Sequence, residues 1–125
     1  MNYLKIKRPN VQKILSKLKP FQRDSAEYVF RRLYLDNDAT NRFLVADEAG
    51  LGKTMVARGL LAKAIDYLWD SVKRIDVVYI CSNTDIARQN IKSLNLSEQE
   101  DIGFASRITL LPIYLNSLKD RKLNF

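Results

Sequence analysis

Phe43-Leu44-Val45-Ala46-Asp47-Glu48-Ala49-Gly50-Leu51-Gly52-Lys53-Thr54 is the stretch on which the reading of this chain turns. Four apolar residues run into a glycine-rich turn, the turn ends in Gly-Lys-Thr, and an amphipathic segment follows. Physically this predicts a buried strand, a phosphate-binding loop and a helix N-terminus. Gly50 and Gly52 open backbone conformations closed to other residues and allow a ligand to come close. The N–H groups of such a loop converge into an anion nest. Lys53 can reach β- and γ-phosphates as a mobile point charge, and the Thr54 hydroxyl is placed to ligate Mg²⁺. A Lys in the first turn of a helix opposes the helix dipole unless an anion is there too. The strict eight-residue P-loop pattern places its first glycine at position 47, where Asp stands, so only the Gly-x-Gly-Lys-Thr core matches.

Outward from that core, bulk properties narrow the classes. The 125 residues suffice for one modest domain with a core. Hydrophobic residues make up 46% and charged residues 28%, which excludes disorder by composition. Lys and Arg number 21 against 14 Asp and Glu, a formal charge of +7, so an anionic partner is favoured and nucleic acid is the first expectation. The single cysteine, Cys81, rules out an intrachain disulfide and fits a reducing cytoplasm. With no histidine, His catalysis and His metal ligation are excluded. Neither a signal peptide nor a transmembrane-length apolar run is apparent, so no membrane partner is expected.

Ahead of the loop, residues 1–20 read as a basic arm and a short helix, with Asn10 as its cap. Val11, Ile14, Leu15 and Leu18 share one face of that helix, and Lys13, Lys17 and Lys19 form a solvated basic face. Pro20 marks a break. A second helix is expected from 21 to about 35, burying Phe21, Ala26, Val29, Phe30, Leu33 and Tyr34, and a polar turn over 36–41. Residues 42–47 form the first expected strand, apolar enough to be covered on both faces.

Behind the loop, a helix from 54 to about 69 presents Val56, Leu60, Leu61, Ala64, Ile65 and Leu68 to a core. A second strand is expected over 75–81, with Ser82-Asn83-Thr84 ending it and Thr84 capping a helix that carries Ile86, Ala87, Ile91 and Leu94. Ser97 to Glu100 has capping-box spacing, 101–103 is a connector, and 107–111 is a short third strand. Pro112 opens a last helix to about 120. Alternation of strand and helix points to a parallel α/β sheet.

Ala46-Asp47-Glu48-Ala49-Gly50-Leu51-Gly52-Lys53-Thr54 resembles motif I of superfamily 2 helicases and translocases, in the Asp-Glu-x-Gly-Leu-Gly-Lys-Thr form of the Swi/Snf-like branch and its bacterial relatives. Leu18-Lys19-Pro20-Phe21-Gln22 resembles the Q motif that precedes motif I. The likeness extends over about 18–95. It implies an α/β fold, namely a partial P-loop NTPase (RecA-like) three-layer parallel sheet with N-terminal helices. Residues 1–20 would be the arm and 21–125 a partial helicase ATP-binding lobe, truncated before the Walker B motif. The cofactors implied are ATP and Mg²⁺, held by Gln22, Glu48, Ala49, Gly50, Leu51, Gly52, Lys53 and Thr54. Lys53 and Thr54 are the catalytic pair and Thr54 the Mg²⁺ ligand. Gln22 would read the adenine edge, since an amide donates and accepts at once, with Phe21 or Arg23 stacking beside it. Ser82, Asn83 and Thr84 fall where motif Ia holds the nucleic-acid backbone, DNA more than RNA, although the family often has Pro where Ser82 stands.

No apolar run followed by Asp-Glu comes after Lys53, so hydrolysis and unwinding are expected only together with missing helicase lobes, in cis or in trans. An isolated chain of this kind would expose strand edges and aggregate. The alternative is a non-catalytic basic module that binds nucleic acid or a partner and keeps a vestigial nucleotide site. A different P-loop class, AAA-type ATPase or kinase, fits the loop but not Gln22.

Overall fold

The computed structural model describes residues 7–48, 50–96 and 111–125. Their architecture follows from where helix starts and small residues lie. Asn10 is extended and its Oδ1 accepts the Lys13 N–H at 3.0 Å, opening α1 (Val11–Leu15). Pro20 is the first residue of α2 (Pro20–Phe30), where its missing N–H costs nothing. Ala26, Val29 and Phe30, at helical spacing, form its buried stripe. Phe21 is exposed, because the buried residue of the first turn is Gln22. Beyond Phe30 the helix widens over Arg31–Leu35 into a π-turn, in which Asp36 N–H donates to Arg31 O at 3.0 Å. The Arg32 guanidinium then clasps Asp36 at 3.0 Å and Asp38 at 2.9 Å, closing the polar turn and holding the Asp38 carboxyl below its usual range.

The longest element is α3 (Lys53–Leu68), and α1, α2 and α4 (Thr84–Leu94) all pack on it. Small residues make those contacts close: Gly59, Ala62 and Ala64 are buried along α3. A Cβ on Gly59 would stand 2.7 Å from Leu18 Cδ2 and 3.2 Å from Ala26 Cβ, so α1 and α2 reach α3 only because this position is bare. Leu18, Ala26 and Val56 form one core cluster here. A second gathers Ile14, Ala62, Ile65, Ile75, Leu96 and Leu123, with Trp69 and Phe125 against its edge. Arg8 fastens the arm to the far end of α3, donating to Asp66 Oδ1 at 2.6 Å, Asp70 Oδ2 at 2.9 Å and Asp66 O at 2.9 Å.

The expected three-layer parallel sheet is not there. Among the described residues the sheet consists of β1 (Ile75–Asp76) and β2 (Leu123–Asn124), parallel, with Ile75 opposite Leu123. After α5 (Leu111–Lys119) the chain turns back to supply β2. Asn124 locks the pair, donating from Nδ2 to Asp76 Oδ1 at 2.9 Å and to Leu118 O at 3.2 Å. Chain 42–47 forms no ladder among the described residues, and Leu44 is 83% exposed. Pairing in the 75–81 strand ends with Val77 N–H on Asn124 O, leaving Ile80 84% exposed. Apolar, β-branched composition gives a segment the capacity to be a covered strand, but a ladder also needs a neighbouring strand. The fold is therefore mostly helical, a packing of helices about α3 with one short parallel pair. The capping box at 97–100, the 101–103 connector and the 107–111 strand lie outside the described residues.

Gly59→Leu is expected to destabilise the chain by about 2 kcal/mol, the cost of overpacking a filled contact, as read by urea denaturation. Leu44→Lys with Ile80→Lys is expected to raise the concentration at which the chain self-associates in light scattering, leaving its melting temperature nearly unchanged, because both side chains face solvent.

Candidate nucleotide site at the start of the third helix

The turn that leads into α3 is built on two glycines. Gly50 and Gly52 have φ of +84° and +80°, the left-handed region that L side chains avoid. No other described residue has positive φ. Gly52 is also the N-cap of α3, and its carbonyl accepts the N–H groups of Met55 at 2.9 Å and Val56 at 3.2 Å. The N–H groups of Gly52, Lys53 and Thr54 have no backbone acceptor among the described residues. The first turn of α3 contains no acidic residue. A helix start with open donors and no carboxylate is electropositive.

Lys53 turns back over this loop. Its Nζ donates to Asp47 O at 2.8 Å and Glu48 O at 3.1 Å, and Leu51 N–H on Glu48 O at 3.4 Å completes the curl. The ammonium therefore sits within reach of anything bound at the loop, satisfied by two carbonyls that a phosphate could replace. Thr54 is the second residue of α3, and its hydroxyl has no hydrogen-bond partner among the described residues. Glu48 is exposed, as is Leu51. Ala49 lies outside the described residues.

Gln22 reaches the loop from α2. It is only 5% exposed. Its Oε1 accepts the Lys19 N–H at 3.0 Å, while its Nε2 donates to Leu51 O at 3.0 Å. A Cβ on Gly52 would lie 2.4 Å from that same Nε2. The amide thus caps α2 and holds the loop at once, a use that sequence reasoning did not assign to it. It retains one further donor hydrogen and one further lone pair. Phe21 and Arg23 are exposed beside it.

The expected nucleic-acid contacts fall elsewhere. Ser82, Asn83 and Thr84 are all exposed at the start of α4, and no hydrogen bond joins them to the 50–54 loop among the described residues. Here the cap is Asn83 and not Thr84: Asn83 Oδ1 accepts the N–H of Asp85 at 2.9 Å and of Ile86 at 3.1 Å. Asx side chains suit that role at least as well as Thr. Cys81 is exposed and free. Among the described residues no cluster of three or more acidic, His or Cys side chains could hold a metal, and no helix is long and apolar enough to cross a membrane.

The geometry fits a phosphate group bound at the loop. The N–H groups of Gly52, Lys53 and Thr54 have no backbone acceptor among the described residues, and a cation is poised beside them. Thr54 Oγ1 is a hard oxygen donor of the kind Mg²⁺ accepts. Comparison with protein-family models, with curated proteins and with solved structures finds no match to this chain.

Gly52→Ala is expected to lower the melting temperature more than Gly50→Ala. Both suffer the left-handed backbone penalty of about 1–2 kcal/mol. Only at 52 does the new Cβ also strike Gln22, whereas at 50 nothing lies within 4 Å. Equal losses in thermal denaturation would remove the Gln22 contact from the account.

Proposed function

We propose that the chain is the ATP-binding segment of a nucleic-acid-dependent helicase- or translocase-type ATPase, and that it binds Mg·ATP through the 50–54 loop. The observation that carries this reading is the start of α3. Two left-handed glycines, N–H groups at Gly52, Lys53 and Thr54 with no backbone acceptor among the described residues, and the Lys53 ammonium meet there with no carboxylate in the first turn. The resemblance of residues 46–54 to motif I, and of residues 18–22 to the Q motif, supports the same class. In this reading the backbone donors and Lys53 hold the phosphates and Thr54 takes the Mg²⁺. Gln22 presents its remaining donor and acceptor to the adenine edge, or fixes the loop for it. The chain alone binds nucleotide without turning it over, because in-line hydrolysis needs a carboxylate and an Arg finger that this class draws from further lobes.

The test is Mg·ATP titration by calorimetry on the intact chain, Lys53→Ala and Gln22→Ala, with GTP as competitor and circular dichroism to confirm folding. Lys53→Ala is expected to weaken binding at least about tenfold, since a charge-assisted hydrogen bond contributes about 1.5–3 kcal/mol. Gln22→Ala is expected to abolish the preference for ATP over GTP. A folded chain that binds no nucleotide would overturn the proposal.

A further inference from the structure

A cavity of about 400 Å³ opens between the arm, α1, Arg58 of α3 and residues 95–96, and shares no lining residue with the 47–54 loop. Its volume is that of a small-ligand site. Three parts of the chain bring cations to it: Lys7 and Arg8 from the arm, Lys13 and Lys17 from α1 and the turn after it, and Arg58 from α3. Ile14 and Leu96 form its apolar floor. Among the described residues neither Asp nor Glu lines it, and no aromatic ring does.

The cations are not equivalent. Arg8 is spent on Asp66 and Asp70, and it shapes the wall. Arg58 Nη1 donates to Ser93 O and, at 3.1 Å, to Asn95 O, which closes the cavity from the α4 side. Its Nε and Nη2 have no acceptor among the described residues. Burial pushes the Arg58 guanidinium below its ordinary pKa, with no carboxylate to offset the loss of solvent. Lys7 and Lys17 are exposed at the rim and have no ion pair among the described residues. A partly desolvated guanidinium with an unused fork, ringed by ammonium groups, is the donor set that multiply charged oxyanions select.

We propose that this cavity is a second phosphate site, separate from the 50–54 loop, which takes a run of phosphate groups through Lys7, Lys17 and Arg58. Its described lining is cationic and aliphatic, which suits phosphate groups and not a base. The run of phosphates has two sources, a free polyphosphate or a single-stranded nucleic-acid backbone. The site does not depend on nucleotide binding at the start of α3.

The test uses the full chain carrying Lys53→Ala, so that the loop is silent, with and without Lys7→Gln and Lys17→Gln. Inorganic triphosphate is titrated by calorimetry and a fluorescent oligothymidylate by anisotropy, both at low salt and at physiological salt. Lys53→Ala is expected to bind at least one probe, with affinity falling as salt rises. The two Gln substitutions are expected to weaken that binding at least about tenfold. Triphosphate bound and oligothymidylate ignored assigns the site to free polyphosphate, and tighter oligothymidylate binding assigns it to the backbone. Both substituted positions are solvent-facing, so folding is preserved and is verified by circular dichroism. Unchanged binding after the two substitutions overturns the proposal, as does a folded Lys53→Ala chain that binds neither probe. Loss of Mg·ATP binding in Lys53→Ala reports on the loop alone, so the two readings fail independently.

Discussion

The structure depends on one amide. Gln22 is a buried polar side chain, and it is tolerated because both ends are used: Lys19 N–H on one, Leu51 O on the other. An uncompensated amide in that position would cost about 1–3 kcal/mol. That pair of bonds joins the start of α2 to the last turn before α3, across a long connector. Gly52 must stay bare for the amide to pass, so the loop's glycine serves local packing as well as any ligand. Conformation, packing and candidate chemistry converge on one residue, which is why that position cannot be altered for a single purpose.

A second close approach sets the layout of the helices. Gly59 lies in the middle of α3, where glycine costs about 0.5–1 kcal/mol relative to Ala. The contact with Leu18 and Ala26 offsets that cost by letting two helices meet a third at backbone distance. Because α3 is the shared partner, it fixes the position of the loop at its start and of the basic cavity on its flank together. The two candidate anion sites therefore belong to one rigid element, and a shift of α3 would be felt at both.

Much of this was legible in the sequence, for identifiable reasons. Helix periodicity and caps are local, and Asn10, Pro20 and Gly52 all mark real helix starts. The glycine pair in the loop was legible too, because only a left-handed turn needs it. What escaped was whatever depends on a distant neighbour. The apolar runs at 43–46 and 77–80 have strand composition, yet among the described residues only Ile75–Asp76 finds a partner strand, at Leu123–Asn124. Gln22 reads as an adenine reader, and its bonds to Lys19 N–H and Leu51 O show only once Leu51 is brought beside it. Lys13 and Lys17 read as a solvated face, and nothing near them in sequence announces that Arg58 completes a cavity there. Thr84 and Asn83 differ by one position, and capping preference alone does not separate them.

The Arg8 clasp carries a consequence for the covalent chain. Residues 8 and 66 lie far apart in sequence, yet the guanidinium fork stitches the arm to the far end of α3, while α2 packs along the same helix. Between α2 and α3 runs a largely exposed connector that belongs to neither cluster. A protease that nicked this connector would cut the peptide and leave the assembly standing, with the segment carrying α1 and α2 retained by burial and by the clasp. Gel filtration would show one particle where denaturing electrophoresis shows two bands, and the separated halves would find each other again on mixing. Continuity of the backbone and continuity of the core are, in this protein, two different properties.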